Sequence, residues 1–441
     1  MAPHSHLDRF YEPHFDDVER LQGYQHGGFA PISLGQEFVN GRYKVIHKLG
    51  YGGFSTVWLA RDRSNRGLVA LKIMQANASS KPSHELAEIH IPRSLHTMLP
   101  RIQDLSVDVK DNFKVIMPSG EHQVIVMQMA GPSLFDISDF PSRRLRADLA
   151  RRVAYQVANA LHQMHGAGFV HGDLTTFNIL FCVSDSVYGW SDQDVYDNLG
   201  RPRSSEVETR SGEKLAPHEP TCLVAPVSSS EWRNSQGVLQ EGVVIADFGQ
   251  SYFRQPPSDY RPGAALHCTA PEILFDNRAG PEADVWSFGC TIFEIRAGSP
   301  LFDWLLGSRS ALVKLMVRMF GRLPDPWWAA YEDRDRWFQE NGEPKLQSVG
   351  KGHTKRLEPI FVKLSIVKEL RAIGSTENDE RTDSGLGPMI EPKGVALREE
   401  EVQSLGDLLG KMLRYRPQDR ITMEEVISHP WFTTTFHPGT N

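Results

Sequence analysis

The sequence predicts an α+β fold in two lobes, a small β-rich lobe followed by a larger, mostly helical one. Three observations carry this. The chain has 441 residues, more than one hydrophobic core usually supports, so it is expected to divide. From Tyr43 to Met129 short apolar runs alternate or lie between Gly and Asn, as strands do. After Gly131 the apolar spacing becomes that of helices.

Residues 1–42 read as an N-terminal extension. The first 40 are rich in His, Gly and acidic side chains and are expected to lie loosely over the surface. The small lobe spans 43–130. YKVIHKLG, STVWLAR, LVALKIM and VIVMQM are its clearest strands, and SHELAEIHIPRSLHTML at 83–99 reads as one helix. Five short strands and this helix complete the lobe. The large lobe spans 131–432. In 145–165, Leu149, Val153, Val157, Leu161 and Met164 share one helical face. The segment 283–298 is apolar almost all round and is expected to be a buried helix. LLGKMLRY and TMEEVISHPWF read as closing helices, before a tail at 433–441. Residues 184–240, rich in Ser, Asp, Pro and Gly, look like an insertion between neighbouring strands. Residues 373–394 read as a second mobile loop.

Composition narrows the class. An apolar content of 40% and a charged content of 23% are those of a soluble globular protein. A net charge of −7 argues against direct nucleic-acid binding. No apolar run has the length of a membrane span. MAPHSHLDRFYEPHFDD has no apolar core and so resembles neither a signal nor a transit peptide. Cys182, Cys222, Cys268 and Cys290 are scattered without metal-site spacing, which fits reduced thiols in the cytoplasm or nucleus. A monomer is expected.

Two groups of motifs carry chemistry. LGYGGFSTV places Gly50, Gly52 and Gly53 between two strands, where small residues let backbone N–H groups approach phosphate oxygens. Ser55 stands where a third glycine of the common pattern would be. Val57 and Ala70 are small apolar groups able to sandwich a purine. Lys72 ends the apolar strand VALK and needs a carboxylate partner. Glu88 is the first candidate, and Glu85 competes with it. Downstream, HGDLTTFN sets Asp173 and Asn178 five residues apart, a carboxylate to accept a hydroxyl proton and an amide oxygen to bind magnesium. DFG adds Asp247 as a second metal ligand. Glu272 of TAPE requires a cation, with Arg420 as candidate, and Asp284 could accept N–H bonds from the HGD turn.

These residues together resemble the eukaryotic protein kinases over roughly 43–432. Within them the chain is similar to the SR-protein kinases and to filamentous-fungal relatives of these. The lead-in GGFAPISLGQEFVNGRYKVIHKLGYGGFSTVWLARD, the insertion after NILF and LVKLMVRMFGRLPDPWW carry that likeness. The resemblance implies a two-lobed kinase fold and ATP-dependent phosphorylation of Ser/Thr hydroxyls in proteins, with Arg/Ser-rich splicing factors a candidate substrate class. It implies ATP and Mg2+ as cofactors. Leu49, Gly50, Tyr51, Gly52, Gly53, Phe54, Ser55 and Val57 would cover the nucleotide, and Met127 to Met129 would form the hinge to adenine. Lys72 would hold phosphates and pair with Glu88. Asp173 would be the catalytic base, with Asn178 and Asp247 as magnesium ligands.

The chain departs from the family at three places. Gly172 replaces the arginine with which most protein kinases grip a phosphorylated activation loop, an arginine that SR-protein kinases also lack, so phosphorylation-independent activity is expected. Thr175 replaces a lysine that offsets charge on the transferred phosphate, and unreplaced this loss lowers turnover by ~10²–10³-fold. RPGAALHCTAPE lacks an Arg-Gln-Tyr-Arg type of segment, and Glu332, Asp333 and Asp335 are the nearest thing to an acidic docking run. Two other readings remain at this point. Thr175 motivates a pseudokinase that binds ATP or partners without catalysis. HGDLTTFNIL also resembles the loop of aminoglycoside and choline kinases, small-molecule phosphotransferases, although these lack TAPE, DVWSFG and RPQDR.

Overall fold

The computed structural model describes residues 9–138, 143–235, 237–302, 307–349, 356–374 and 388–433. The chain separates into two compact units, Met1–Ile137 with Leu180–Gly249, and Ser138–Ile179 with Gln250–Asn441. Most of the loop expected at 373–394 lies outside the described residues. Among the described residues no helix is long and apolar enough to cross a membrane.

The first unit is built on a six-stranded sheet of order β1-β2-β3-β4-β6-β5. Its strands are β1 (Glu37–Phe38), β2 (Tyr43–Tyr51), β3 (Ser55–Asp62), β4 (Gly67–Met74), β5 (Val109–Met117) and β6 (Gly120–Gln128). Neighbours pair antiparallel throughout. The period-2 pattern decides which face each residue takes. Tyr43, Val45, Trp58, Leu71, Ile73, Val124 and Val126 share one core cluster. Ile125, of opposite parity, joins Leu86, Ile89 and Val109 in a second cluster, beneath helix α1 (Ala87–Met98).

The helix expected over 83–99 is interrupted. Ser83–Glu85 is a separate 3-10 turn, and Leu86 is extended, with φ −76° and ψ 112°. The break leaves Glu85 outside α1, exposed and 3.7 Å from His84, while Glu88 sits in the first helical turn, buried.

The N-terminal extension is not loose from residue 9 on. Phe10, Leu21, Tyr24 and Phe29 are buried together with Val207 and Leu223 of the insertion. Ala30, Ile32 and Phe38 complete the main sheet core. Glu19 and the fully buried Lys48 of β2 form an ion pair, to which the Tyr24 hydroxyl also donates. Lys48 lies 5.4 Å from the Trp58 ring centroid. The expectation failed because apolar residues at irregular spacing carry no period, yet they bury area as well as periodic ones do.

The insertion joins two strands, Ile179–Val183 and Leu239–Ile245, which pair as the sequence suggests. It has structure of its own. Helices Asp185–Tyr188, Asp192–Leu199 and Ser229–Asn234 accompany a small strand pair, Ser204–Glu206 with Cys222–Val224. Asp192 accepts from Arg61 and Lys44 and so ties the insertion to the sheet.

The second unit is helical. In Ala147–Gly166 the five expected apolar residues are all buried. Pro281–Ala297 is buried along almost its whole length, as its unbroken apolar pattern demands. Glu399–Met412 carries LLGKM at its end. The expected last helix is two short ones, Met423–Ile427 and Pro430–Thr433, because Pro430 cannot continue the first. Glu272 and Arg420 form the expected pair, with two bonds of 2.6 Å, both residues buried.

Candidate active site

Each unit carries one set of the motif residues. In the first unit, β2 and β3 form the glycine hairpin. Gly50 faces Val57 and Tyr51 faces Thr56, and the Gly52 N–H donates to Ser55 O at 2.8 Å. Gln75 fastens the tip, its backbone N–H to Phe54 O at 2.8 Å and its side chain to Gly53 O at 3.2 Å. Phe54 is 73% exposed. A Cβ at Gly50, Gly52 or Gly53 would meet no atom within 4 Å. None of the three has a positive φ. Neither packing nor backbone conformation therefore requires glycine there. The clearance suits a ligand brought against the hairpin backbone.

Lys72 on β4 pairs across with Val57 and with Ile125, in the middle of the sheet. Its ammonium lies 2.6 Å from Glu88 and 3.2 Å from Asp247. Burial opposes the charge on Lys72, but the two carboxylates win and hold it well above the ordinary lysine range. Burial and the neighbouring Asp247 push Glu88 up. The Lys72 charge holds Asp247 down, to about 2. Asp247 has φ +62°, a left-handed conformation uncommon for a non-glycine residue. Its carboxylate is 47% exposed, so it remains open to a cation. Ala70 is buried opposite Leu59 and Met127. Met129 is buried as well, and its carbonyl accepts from Tyr188 at 3.0 Å. Tyr188 also takes the Gln128 amide at 2.7 Å. Nothing local in the insertion marked Tyr188 as a partner of this strand end.

In the second unit the HGD turn is fixed from below by Asp284. Its carboxylate accepts the His171 N–H and the Gly172 N–H, each at 2.8 Å, and faces the His165 imidazole at 2.9 Å. Burial would raise Asp284, but these bonds hold it below the usual carboxylate range. The Asn178 amide donates to Asp173 O at 2.7 Å and approaches the Asp173 carboxylate at 3.3 Å, which leaves the Asn178 oxygen as an acceptor. Asp173 also accepts the Ala265 N–H at 3.2 Å. Thr175 is 2% exposed, and its carbonyl accepts the Asn178 N–H. Thr176 donates to Glu294 at 2.7 Å. Burial pushes Glu294 up to about 7. Glu294 shares no motif with this turn, so sequence reading passed over it.

The acidic run at 332–335 is partly engaged within the chain. Asp333 accepts from Ser310, and Asp335 neighbours Arg334 at 3.7 Å. Among the described residues no group of three or more His, Cys, Asp or Glu is arranged to hold a metal ion.

The Protein kinase domain model matches residues 43–200 and 234–432. The chain belongs to the protein kinase family. It is similar to "Serine/threonine-protein kinase SRPK" of Physarum polycephalum, 25% identical over 429 residues that cover 94% of this chain and 91% of that one. "Protein kinase dsk1" of Schizosaccharomyces pombe is 26% identical, over 65% of this chain and 66% of its own length. "Dual specificity protein kinase CLK1" of Mus musculus is 24% identical, over 90% and 67%. The family match and these relatives support an ATP-dependent serine/threonine protein kinase of SR-protein-kinase-like type. The two-lobed kinase fold expected from the sequence is the one found, a β-sheet unit and a helical unit. The small-molecule phosphotransferase and pseudokinase readings find no support in these comparisons.

Proposed function

We propose that this kinase phosphorylates serine-containing proteins through the two residue sets described above. Asp173 orients the incoming hydroxyl and accepts its proton. Its carboxylate is already fixed by Ala265 and by the Asn178 amide. Lys72, oriented by Glu88, would bind the α- and β-phosphates of ATP. Residues 49–57 would cover the phosphates, and Met127 to Met129 would meet the adenine. Asn178 and Asp247 would each serve as a magnesium ligand, and the metal would offset the charge of the phosphates. The observation that carries the reading is the buried Lys72 ammonium, 2.6 Å from Glu88 and 3.2 Å from the half-exposed Asp247.

The resemblance to SR-protein kinases makes Arg/Ser-rich proteins the first substrate class to test. A monomer acting in the cytoplasm or nucleus suits four cysteines that are all unbridged. The test is transfer from labelled ATP to an Arg/Ser-rich peptide and to myelin basic protein, with Asp173→Asn as control. Transfer by the wild type and its loss by at least ~10³-fold in the control are expected. Equal silence of both proteins with magnesium and with manganese overturns the reading. An acidic or proline-directed preference in a peptide library overturns the substrate class alone.

A further inference from the structure

Gly172 stands where most protein kinases are expected to carry an arginine, and its surroundings say more than that a charge is missing. Its φ is +82°, in the region that favours glycine. A Cβ there would come within 2.5 Å of Gln250 O and 2.9 Å of the Tyr260 hydroxyl oxygen. The room left by the absent side chain is therefore filled by the segment that follows DFG. Within it, the Tyr260 hydroxyl donates to Gln250 O at 3.0 Å. The Gln250 side-chain oxygen accepts the Gly263 N–H at 3.1 Å. Tyr260 packs edge-on against Tyr252, with ring centroids 5.2 Å apart. Tyr252 is itself paired with Val170, one residue before His171. Ser251 donates to His171 O at 2.7 Å. Two residues beyond Gly263, the Ala265 N–H reaches Asp173.

We propose that Tyr260, docked on Gln250 in the space that Gly172 leaves open, is a positioning residue that sets the 250–265 segment against the Asp173 turn. This rests on the kinase reading of Asp173. An arginine can hold such a segment only once the segment carries a phosphate to pair with. A phenol needs only a carbonyl acceptor. Burial raises the Tyr260 phenol well above its ordinary range, so it stays a donor at neutral pH. Gly172 and Tyr260 are then one device: a side chain at 172 and the docked phenol exclude each other. The device also gives a physical reason for activity without activation-loop phosphorylation.

Tyr260→Phe removes the donor and keeps the ring, while Gly172→Ala fills the space. The two single variants, the double variant and the wild type, with and without phosphatase treatment, are compared for kcat, KM for ATP, melting temperature and protease cleavage within 250–265. Phosphatase leaves the wild type unchanged. Tyr260→Phe lowers kcat by ~10-fold, the loss of one part-buried hydrogen bond. Its KM for ATP and melting temperature stay at wild-type values, and its 250–265 segment is cut faster. Gly172→Ala is at least as slow, and the double variant is no slower than Gly172→Ala, because both changes break the same contact. Wild-type kcat and cleavage in Tyr260→Phe overturns the proposal, as do additive losses in the double variant. A wild type that transfers no phosphate fails the kinase reading instead. The cleavage comparison then decides the bracket by itself, and equal rates overturn it.

Discussion

Asp284→Asn is the sharpest test of how the fold serves the proposed chemistry. Asp284 makes no part of the DFG or HGD motifs, yet three donors converge on its two oxygens. One oxygen faces the His171 N–H and the His165 imidazole, and the other takes the Gly172 N–H. The residue is 1% exposed, so no water can replace a lost partner. An asparagine of the same shape has one acceptor oxygen. With that oxygen on the two-donor side, the Gly172 N–H faces an amide NH2 group, donor against donor. An unsatisfied buried donor costs about 1–3 kcal/mol, and the charge-assisted bonds add to it, so a loss of about 2–4 kcal/mol is expected. The strain falls on the His171–Gly172 peptide unit, one residue before Asp173. A displacement of that carboxylate by an ångström costs about 10²-fold in rate. Thermal melting and steady-state kinetics, the latter well below the variant's melting temperature, measure both effects. At pH 7 the wild-type carboxylate is ionised, since its pKa lies below the ordinary 3.8, and the full effect is present. Its contribution is lost only as pH falls through that depressed value. A variant that melts with the wild type and keeps kcat within twofold would refute the account of Asp284 as the base of the catalytic turn.

Two further outcomes concern stability. Arg420→Ala strands the buried Glu272 carboxylate and three carbonyls, of Glu282, Arg414 and Tyr415, that Arg420 serves. A loss of about 3–5 kcal/mol is expected in urea unfolding, and the Glu272→Ala, Arg420→Ala double variant should recover part of it. A double variant weaker than Arg420→Ala would contradict this. Glu294 is pushed from 4.5 to about 7 by burial, a differential of about 3 kcal/mol at most. A raised carboxylate pKa contributes stability below about pH 4.5 and loses it as pH rises through about 7. Glu294→Gln should therefore flatten the melting temperature between these values and melt higher than the wild type at pH 8. Parallel profiles would rule this out.

What the sequence made legible is local. The glycine hairpin, VALK, HGD and DFG each lie within a few residues, and each motif's chemistry needs only that spacing. Long apolar periods such as 145–165 and 283–298 likewise fixed their helices. The insertion was readable in part. Ser191 with Asp194 and Ser228 with Glu231 are full capping boxes, and their four-residue signatures stand in the sequence ahead of the two helices they start. The choice of Glu88 over Glu85 was open because both follow Lys72 at plausible spacing. The extended Leu86 settles it, and no residue type announces that break. What could not be read are partners far apart in the chain with no shared motif. Glu19 with Lys48, Tyr188 with Met129, and Tyr260 at Gly172 all meet through tertiary packing.

The departure at Thr175 weighs less once the charged groups of the first unit are considered. Thr175 and Thr176 hold their turn by internal bonds, to Asn178 and to Glu294, so the missing lysine costs that turn no structure. What is lost is a charge available to the transferred phosphate. The buried Lys72 and Glu88 carry the opposite lesson. Taking such a pair from water costs several kcal/mol per ion, and well-packed apolar residues in its place often stabilise a protein. A chain that served only as a scaffold could fill this part of the sheet with apolar side chains at a gain. This chain instead keeps an ammonium between two carboxylates, one of them in a left-handed conformation and half open to solvent. Burial disfavours the ionised form of Glu88 even beside Lys72, a cost that the proposed phosphate and metal binding would explain, and a slower kinase fits it better than a silent one.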